Sequence, residues 1–412
     1  MKTRSGSRRA VSSELRKSIV KLNPLALSFL AAGWIATPAH ALDHLWSGGT
    51  GDWANFSNWT PLGVPGNGDT ATLNGGNPQV TFAELVGGLV IKAGTLSGAG
   101  TLTVTGQATL TGGAQSGSGT TVYNGPLSIN GTHYLAGGGR LMQTNSTTTW
   151  STGNVAMNGS NTITNNGTWL DNTLVDSHIG GGNYGSAKVF NNVGSFIKSG
   201  NTTTNLYTAV NNAGSVSVNQ GTLAVSGAIN NQGDIEVAAP AVFHGNTKSF
   251  LNEGLIAGLG TVRTYINDDL VNAGRIAPGI HSIGTLTIDG GLSMTATSDL
   301  LIELGGSGFS DLLAITDDVK LGGTLSIYAS AYSPVAGDEF VIMTFDERVT
   351  SSLFDNVVWH DLGAGYRLDV IYNEHNVTLA VAAVPEASTL WMALSGIGLV
   401  GLSVRVRRRT VH

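Results

Sequence analysis

Between residues 163 and 290 the chain repeats one arrangement of apolar and small polar positions. An Asn-x-Gly triplet ends at Gly167, Gly194, Gly214, Gly233, Gly254 and Gly274, at spacings of 27, 20, 19, 21 and 20 residues. Two residues before each asparagine stands an apolar residue: Ile163, Phe190, Val210, Ile229, Phe250 and Leu270. Two residues after each glycine stands another: Trp169, Phe196, Val216, Ile235, Ile256 and Ile276. Apolar and polar residues alternate around the triplet, which predicts short strands with one face inward, joined by a corner. A unit of about 20 residues cannot bury that face alone, whereas stacked neighbours can. The corner predicts glycine in the left-handed region. Asparagines at one position in successive coils, Asn165, Asn192, Asn212, Asn231, Asn252 and Asn272, predict an amide ladder along the stacking axis. The 27-residue step predicts an insertion near Asp176–Asn183, looped out from one coil.

Looser turn-plus-strand units flank the repeat: Gly94-Thr95-Leu96, Gly100-Thr101-Leu102, Gly221-Thr222-Leu223, Gly284-Thr285-Leu286 and Gly323-Thr324-Leu325. Coils from about 73 to 330 would number ~13 and make a rod roughly 60 Å long at ~4.8 Å per coil. We divide the body into a tryptophan-rich N-terminal segment (42–72), a solenoid (73–290) and a terminal β-domain or cap (291–383). The last of these loses the 20-residue period and contains strand-like runs at Leu300–Leu304, Phe340–Phe345, Tyr366–Tyr372 and Val377–Val381. Open solenoid ends invite edge-to-edge association. Trp46, Trp53 and Trp59 therefore read either as a cover for the first coil or as an aromatic platform for sugar rings.

Composition narrows the chemistry. Glycine supplies 58 of 412 residues and charged side chains only 12%, which suits many short strands and tight turns rather than helical bundles. The absence of cysteine excludes disulfides, thiol catalysis and cysteine-ligated metals. The formal charge of −6 conceals a far more acidic body, because basic residues crowd both ends. Residues 42–404 carry 10 bases against 26 acids, a balance that phosphate backbones and anionic membrane surfaces repel. Nucleic acid is thereby excluded as a partner.

Both ends carry targeting features. A basic stretch precedes an apolar run from Leu25 to Ile35, and Ala39-His40-Ala41 supplies a small-x-small cleavage pattern, so residues 1–41 read as a secretion signal. At the other end, Val384-Pro385-Glu386 precedes an apolar run, then Arg405-Val406-Arg407-Arg408-Arg409. The stretch from Ala387 to Val404 would make roughly 27 Å of helix, enough for one transmembrane span with the arginines on the cytoplasmic side. Residues 384–412 resemble the PEP-CTERM sorting signal of Gram-negative bacteria, with Ala387 in place of the usual second proline. That resemblance implies recognition and cleavage by an exosortase-type membrane protease, transient inner-membrane anchoring, and association with exopolysaccharide. The body resembles the right-handed parallel β-helix of autotransporter passengers, and the handedness comes from that resemblance.

β-helices also carry polysaccharide lyases and glycosidases, whose chemistry needs paired carboxylates on one face. The candidates are Asp268-Asp269 with Arg263 nearby, Asp317-Asp318, Asp338-Glu339 and Asp346-Glu347. Neighbouring residues on a strand face opposite ways, so an adjacent pair is not itself a site. An enzyme would need acids of different coils to converge, such as Asp268 or Asp269 with Asp234 or Glu253. The run Gly180–Gly185 fits Gly-x-Gly-x-x-Gly without a strand–helix unit around it, and reads as a flexible insertion. No metal-ligand spacing, cofactor motif or nucleophile elbow is present. The expectation is a non-enzymatic cell-envelope or matrix protein without cofactor, with an adhesin and a carbohydrate-active enzyme as alternatives.

Overall fold

The computed structural model describes residues 41–384 apart from 182–186, 280–281, 330–331, 350 and 362. The expected signal peptide with Ala39, the residues Pro385 and Glu386, the span 387–404 with its arginine tail, and most of the 180–185 glycine run lie outside the described residues. Among the described residues no helix is long and apolar enough to cross a membrane.

The fold is an all-β parallel solenoid whose coils each contribute three short strands, one to each of three long sheets. One coil shows the pattern. Thr162–Asn165 lies on the first face, Thr168–Asp171 on the second and Ser177–Gly180 on the third. The first face holds twelve strands, from Glu84–Val86 to Val319–Lys320. Strands pair in parallel with the equivalent strand one coil away, so equal positions stack: Ile163 on Phe190, Val210 and Ile229, and Trp169 on Phe196, Val216 and Ile235. All these side chains are buried, forming a continuous apolar column inside the rod.

Each Asn-x-Gly triplet forms the corner between the first and second faces. None of its six glycines is left-handed, contrary to the expectation. Close stacking is the reason: a Cβ on Gly214 would lie 1.9 Å from the carbonyl oxygen of Gly194 one coil below. Left-handed glycine is used elsewhere, as at Gly221 (φ +65°), which opens a strand of the third face.

The 27-residue step also differs from the expectation. Ser177–Gly180 is a regular strand of the third face, paired with Val155–Met157 and Thr203–Leu206. Most of the extra length falls after it, at 181–188, where the next coil needs only Tyr207 and Thr208 to turn the same corner. Nor does coiling stop at 290. Gly291–Met294, Asp299–Gly306, Leu312–Ile315, Thr324–Tyr328 and Asn356–His360 all pair in parallel with earlier strands. The period disappears from the sequence because these coils lengthen: strands starting at Asp299, Thr324 and Asn356 succeed one another on the second face.

Antiparallel strands finish both ends. Trp59–Thr60 runs antiparallel to Asp43–Trp46, the first strand of the second face. On the third face, Tyr366–Tyr372 and Asn376–Ala383 form a hairpin laid antiparallel on Glu339–Thr344. Polar groups also enter the core. Fully buried Gln115 bonds Tyr123, Thr121 and His133, while Arg140 donates to Thr121 Oγ1 at 2.7 Å and Ser116 O at 2.8 Å.

Candidate functional site

The three tryptophans are core. Trp59 meets Trp46 and Trp53 edge-on, with ring centroids 5.0 and 4.7 Å apart, and its Nε1 donates to Trp53 O at 2.8 Å. All three are buried, so no indole face is open to stack on a sugar ring. The platform alternative is corrected on that ground: the aromatic area covers the first coil instead.

The six asparagines stand in register and are hydrogen-bonded in series. Nδ2 of Asn165 donates to Oδ1 of Asn192 at 2.8 Å, and Asn192 to Asn212 at 2.7 Å. Asn212 to Asn231, Asn231 to Asn252 and Asn252 to Asn272 follow at 2.7, 2.6 and 2.6 Å. Each rung below the last also donates to a carbonyl one coil further on, as Asn212 does to Asp234 O at 3.1 Å. Thr144 closes the lower end by donating to Asn165 Oδ1, and buried Met294 stands above Asn272. The ladder is inaccessible, and its chemistry is structural.

Asp269 does not meet Asp234 or Glu253. Asp269 opens the first-face strand Asp269–Asn272, while Glu253 follows the end of Phe250–Asn252 at the opposite corner. With Asn252 level with Asn272, four strand positions separate the two, about 13 Å. Asp234 also lies at the far corner, opening a second-face strand. What Asp269 does meet is Asp317 and Asp318 of a later coil. Desolvation and then those neighbours push its carboxyl above the usual range. Asp338 is a structural acid: its oxygens accept from Val335 N, Tyr332 Oη and Ser307 Oγ at 2.7–2.8 Å, which holds its carboxyl low. Asp346 and Glu347 are exposed. Among the described residues no group of three or more acids and histidines could hold a metal ion.

Along the edge between the third and first faces the turns vary in length, from Gly290 alone to the eight residues 181–188, and two grooves open among the described residues. One, of about 290 Å³, has Lys188, Tyr207, Thr208, Ser226 and Gly227 in its lining. The other, of about 330 Å³, is lined by Arg263, Tyr265, Asp289, Thr316 and Asp317. In the second, Arg263 Nε donates to Asp289 Oδ2 at 2.6 Å, and Thr316 Oγ1 donates to Asp289 Oδ1 at 3.3 Å. Arg263 was visible in the sequence as a base near Asp268-Asp269. Tyr207 and Thr208 carried no signal, because the turns of this edge have no fixed spacing.

The sorting region joins the folded body directly. Val384 N donates to Gly365 O at 2.8 Å, so the chain leaves from the terminal hairpin, and Ala41 is exposed at the other limit. Residues 383–409 match the PEP-CTERM protein-sorting motif. A stretch of 92 residues is 33% identical to the adhesin BmaC autotransporter of Brucella suis biovar 1 (strain 1330), covering 21% of this chain and 3% of the relative. The matched part thus spans only a small fraction of that relative's length.

Proposed function

We propose that this is an exported, non-enzymatic structural or adhesive protein of the cell envelope or extracellular matrix, associated with exopolysaccharide. The observation that carries it is the sorting motif at 383–409, which follows immediately on the hairpin that ends the body. Exported through its leader and cut after Ala41, the chain is held in the inner membrane by a helix over 387–404. An exosortase-type protease then cuts near Pro385-Glu386 and releases the body to the outer surface. The coils wind right-handedly, as parallel crossovers do. A rod with a Thr-, Asn- and Ser-rich surface offers hydroxyls and amides along its whole length for hydrogen bonds to a polymer.

The test is size-exclusion chromatography of the mature exported protein mixed with exopolysaccharide of the producing cell. Co-elution with polymer of unchanged size is the expected result. Polymer that shortens with time would replace the reading with a carbohydrate-active enzyme. Mass spectrometry of the mature protein checks the sorting step, since an intact residue 412 would reject cleavage. The 92-residue likeness to an adhesin supports a second reading, an adhesin for a protein or host surface, which protein eluting apart from unchanged polymer would favour.

A further inference from the structure

We infer that the edge between the third and first faces is a binding path for an uncharged polysaccharide chain lying along the rod axis. This rests on the exopolysaccharide association proposed above and assigns it a surface. Two grooves open on this same edge, and each has a half-exposed tyrosine in its lining: Tyr207, 43% exposed, in the first and Tyr265, 37% exposed, in the second. The tyrosines follow third-face strands three coils apart, about 14 Å along the axis. A tyrosine offers an apolar ring body with a polar tip, which suits a sugar ring bearing hydroxyls at its rim.

The first groove has a defined polar want. Thr208 is 2% exposed and its Oγ1 has no hydrogen-bond partner among the described residues, although the residue lines the groove. Buried hydroxyls are normally satisfied, and this one, enclosed in the groove wall, gains a partner when an occupant's hydroxyl displaces the atoms that cover it. In the second groove the ion pair of Arg263 and Asp289 sets a donor fork and an acceptor side by side, the arrangement that grips neighbouring hydroxyls. Charge selects the occupant. Lys188 lines the first groove and Arg263, paired with Asp289, the second, but Asp317 also lines the second and residues 42–404 carry 26 acids to 10 bases, so a polyanion lying along the rod is repelled overall and a neutral chain is not.

The exopolysaccharide of the producing cell, separated by anion exchange into neutral and acidic fractions, is the probe, with the mature exported protein and affinity electrophoresis as readout. Tyr207→Ala, Tyr265→Ala and Thr208→Val are compared with Leu174→Ala, an exposed change on the edge between the second and third faces, and thermal unfolding confirms that each variant folds. Wild type and Leu174→Ala should bind the neutral fraction, and each tyrosine variant should bind it about ten-fold more weakly, near 1.4 kcal/mol. Thr208→Val should weaken it measurably. Variants that bind like wild type overturn the path and leave the broader association standing. Retention of the acidic fraction alone overturns the choice of an uncharged occupant. No binding to either fraction overturns both.

Discussion

Asp171 and Lys198 occupy the same inward register position on adjacent coils, carboxylate and ammonium 4.0 Å apart and both side chains fully buried. They interrupt a column that is otherwise apolar, with Trp150 below and Val218 above. Asp171 Oδ1 also accepts from Thr173 N and Oγ1, and Oδ2 accepts from Thr204 Oγ1 at 2.5 Å, while Lys198 Nζ donates to Gly200 O. Removing one partner strands a buried charge, whereas removing both leaves a site that apolar side chains can fill. Lys198→Met should therefore destabilise by about 3–5 kcal/mol, and Asp171→Leu with Lys198→Met should recover most of that loss. Urea unfolding of wild type, Lys198→Met, Asp171→Leu and the double variant decides it, and additive losses would show that the two groups act independently.

The amide ladder makes a sharper distinction between inward and outward asparagines. Asn212→Ala removes one of the two strong acceptors of Asn192 Nδ2, which keeps Ser215 O, and the donor to Asn231, leaving one buried amide N–H and one buried amide oxygen unpaired. At roughly 1–3 kcal/mol for each group, the expected cost is about 2–6 kcal/mol. Its neighbour Asn211 donates to Asn191 on the exposed surface, and Asn211→Ala should cost no more than about 0.5 kcal/mol. Equal losses in chemical denaturation would contradict a ladder that stabilises through burial.

Gly214→Ala tests whether the corner needs closeness or a left-handed backbone. Were freedom of φ the issue, an alanine at a compatible φ would stabilise by about 0.4–1 kcal/mol through the unfolded chain. The carbonyl of Gly194 blocks the new methyl, so the coils must separate, at a cost of about 1–3 kcal/mol. Amide exchange should rise first at Ala213, Gly214 and Ser215, whose N–H groups reach the coil below. Unchanged exchange there would refute the crowding.

His133 gives a pH prediction. Burial, with Arg140 nearby adding to it, lowers its pKa from 6.5 to about 4 against the pull of the Gly112 carbonyl. A base held neutral in the folded state contributes stability that is full above about 6.5. That contribution is lost as pH falls toward 4, because the unfolded chain takes up the proton first. The window is worth roughly 3 kcal/mol. His133→Gln should flatten the fall in stability between these pH values, measured by denaturation at fixed pH steps. A wild-type slope retained in the variant would assign it to other groups.

Much of the fold was legible because the first two faces meet at a corner of constant length. The apolar residues two places either side of Asn-x-Gly all enter the core, and the asparagines between them are level. The third face escaped because its turns run from one residue at Gly290 to eight at 181–188, which destroys any period. The coils beyond 290 were lost because the first corner itself changes length, with four residues between Gly291–Met294 and Asp299–Gly306 where Asn-x-Gly leaves two. Buried Asp171 and Lys198 carried a signal that went unused. Each stands two residues after an inward aromatic, Trp169 and Phe196, and strand parity places it inward too. The grooved edge had no such signature, since it is made by turn lengths rather than by residue types in register.

The antiparallel strands at the two ends have a consequence for assembly. Parallel stacking has no intrinsic stopping point: each coil presents to the next the same surface that it received from the last. Trp59–Thr60 at the beginning and the hairpin 366–383 at the end reverse strand direction and break that translation. Length is thus written into the gene rather than reached by growth. Duplication or deletion of one coil between these ends would change reach by about 4.8 Å while leaving both terminal structures untouched. The molecule is built as a gauge of fixed length, graduated in coils.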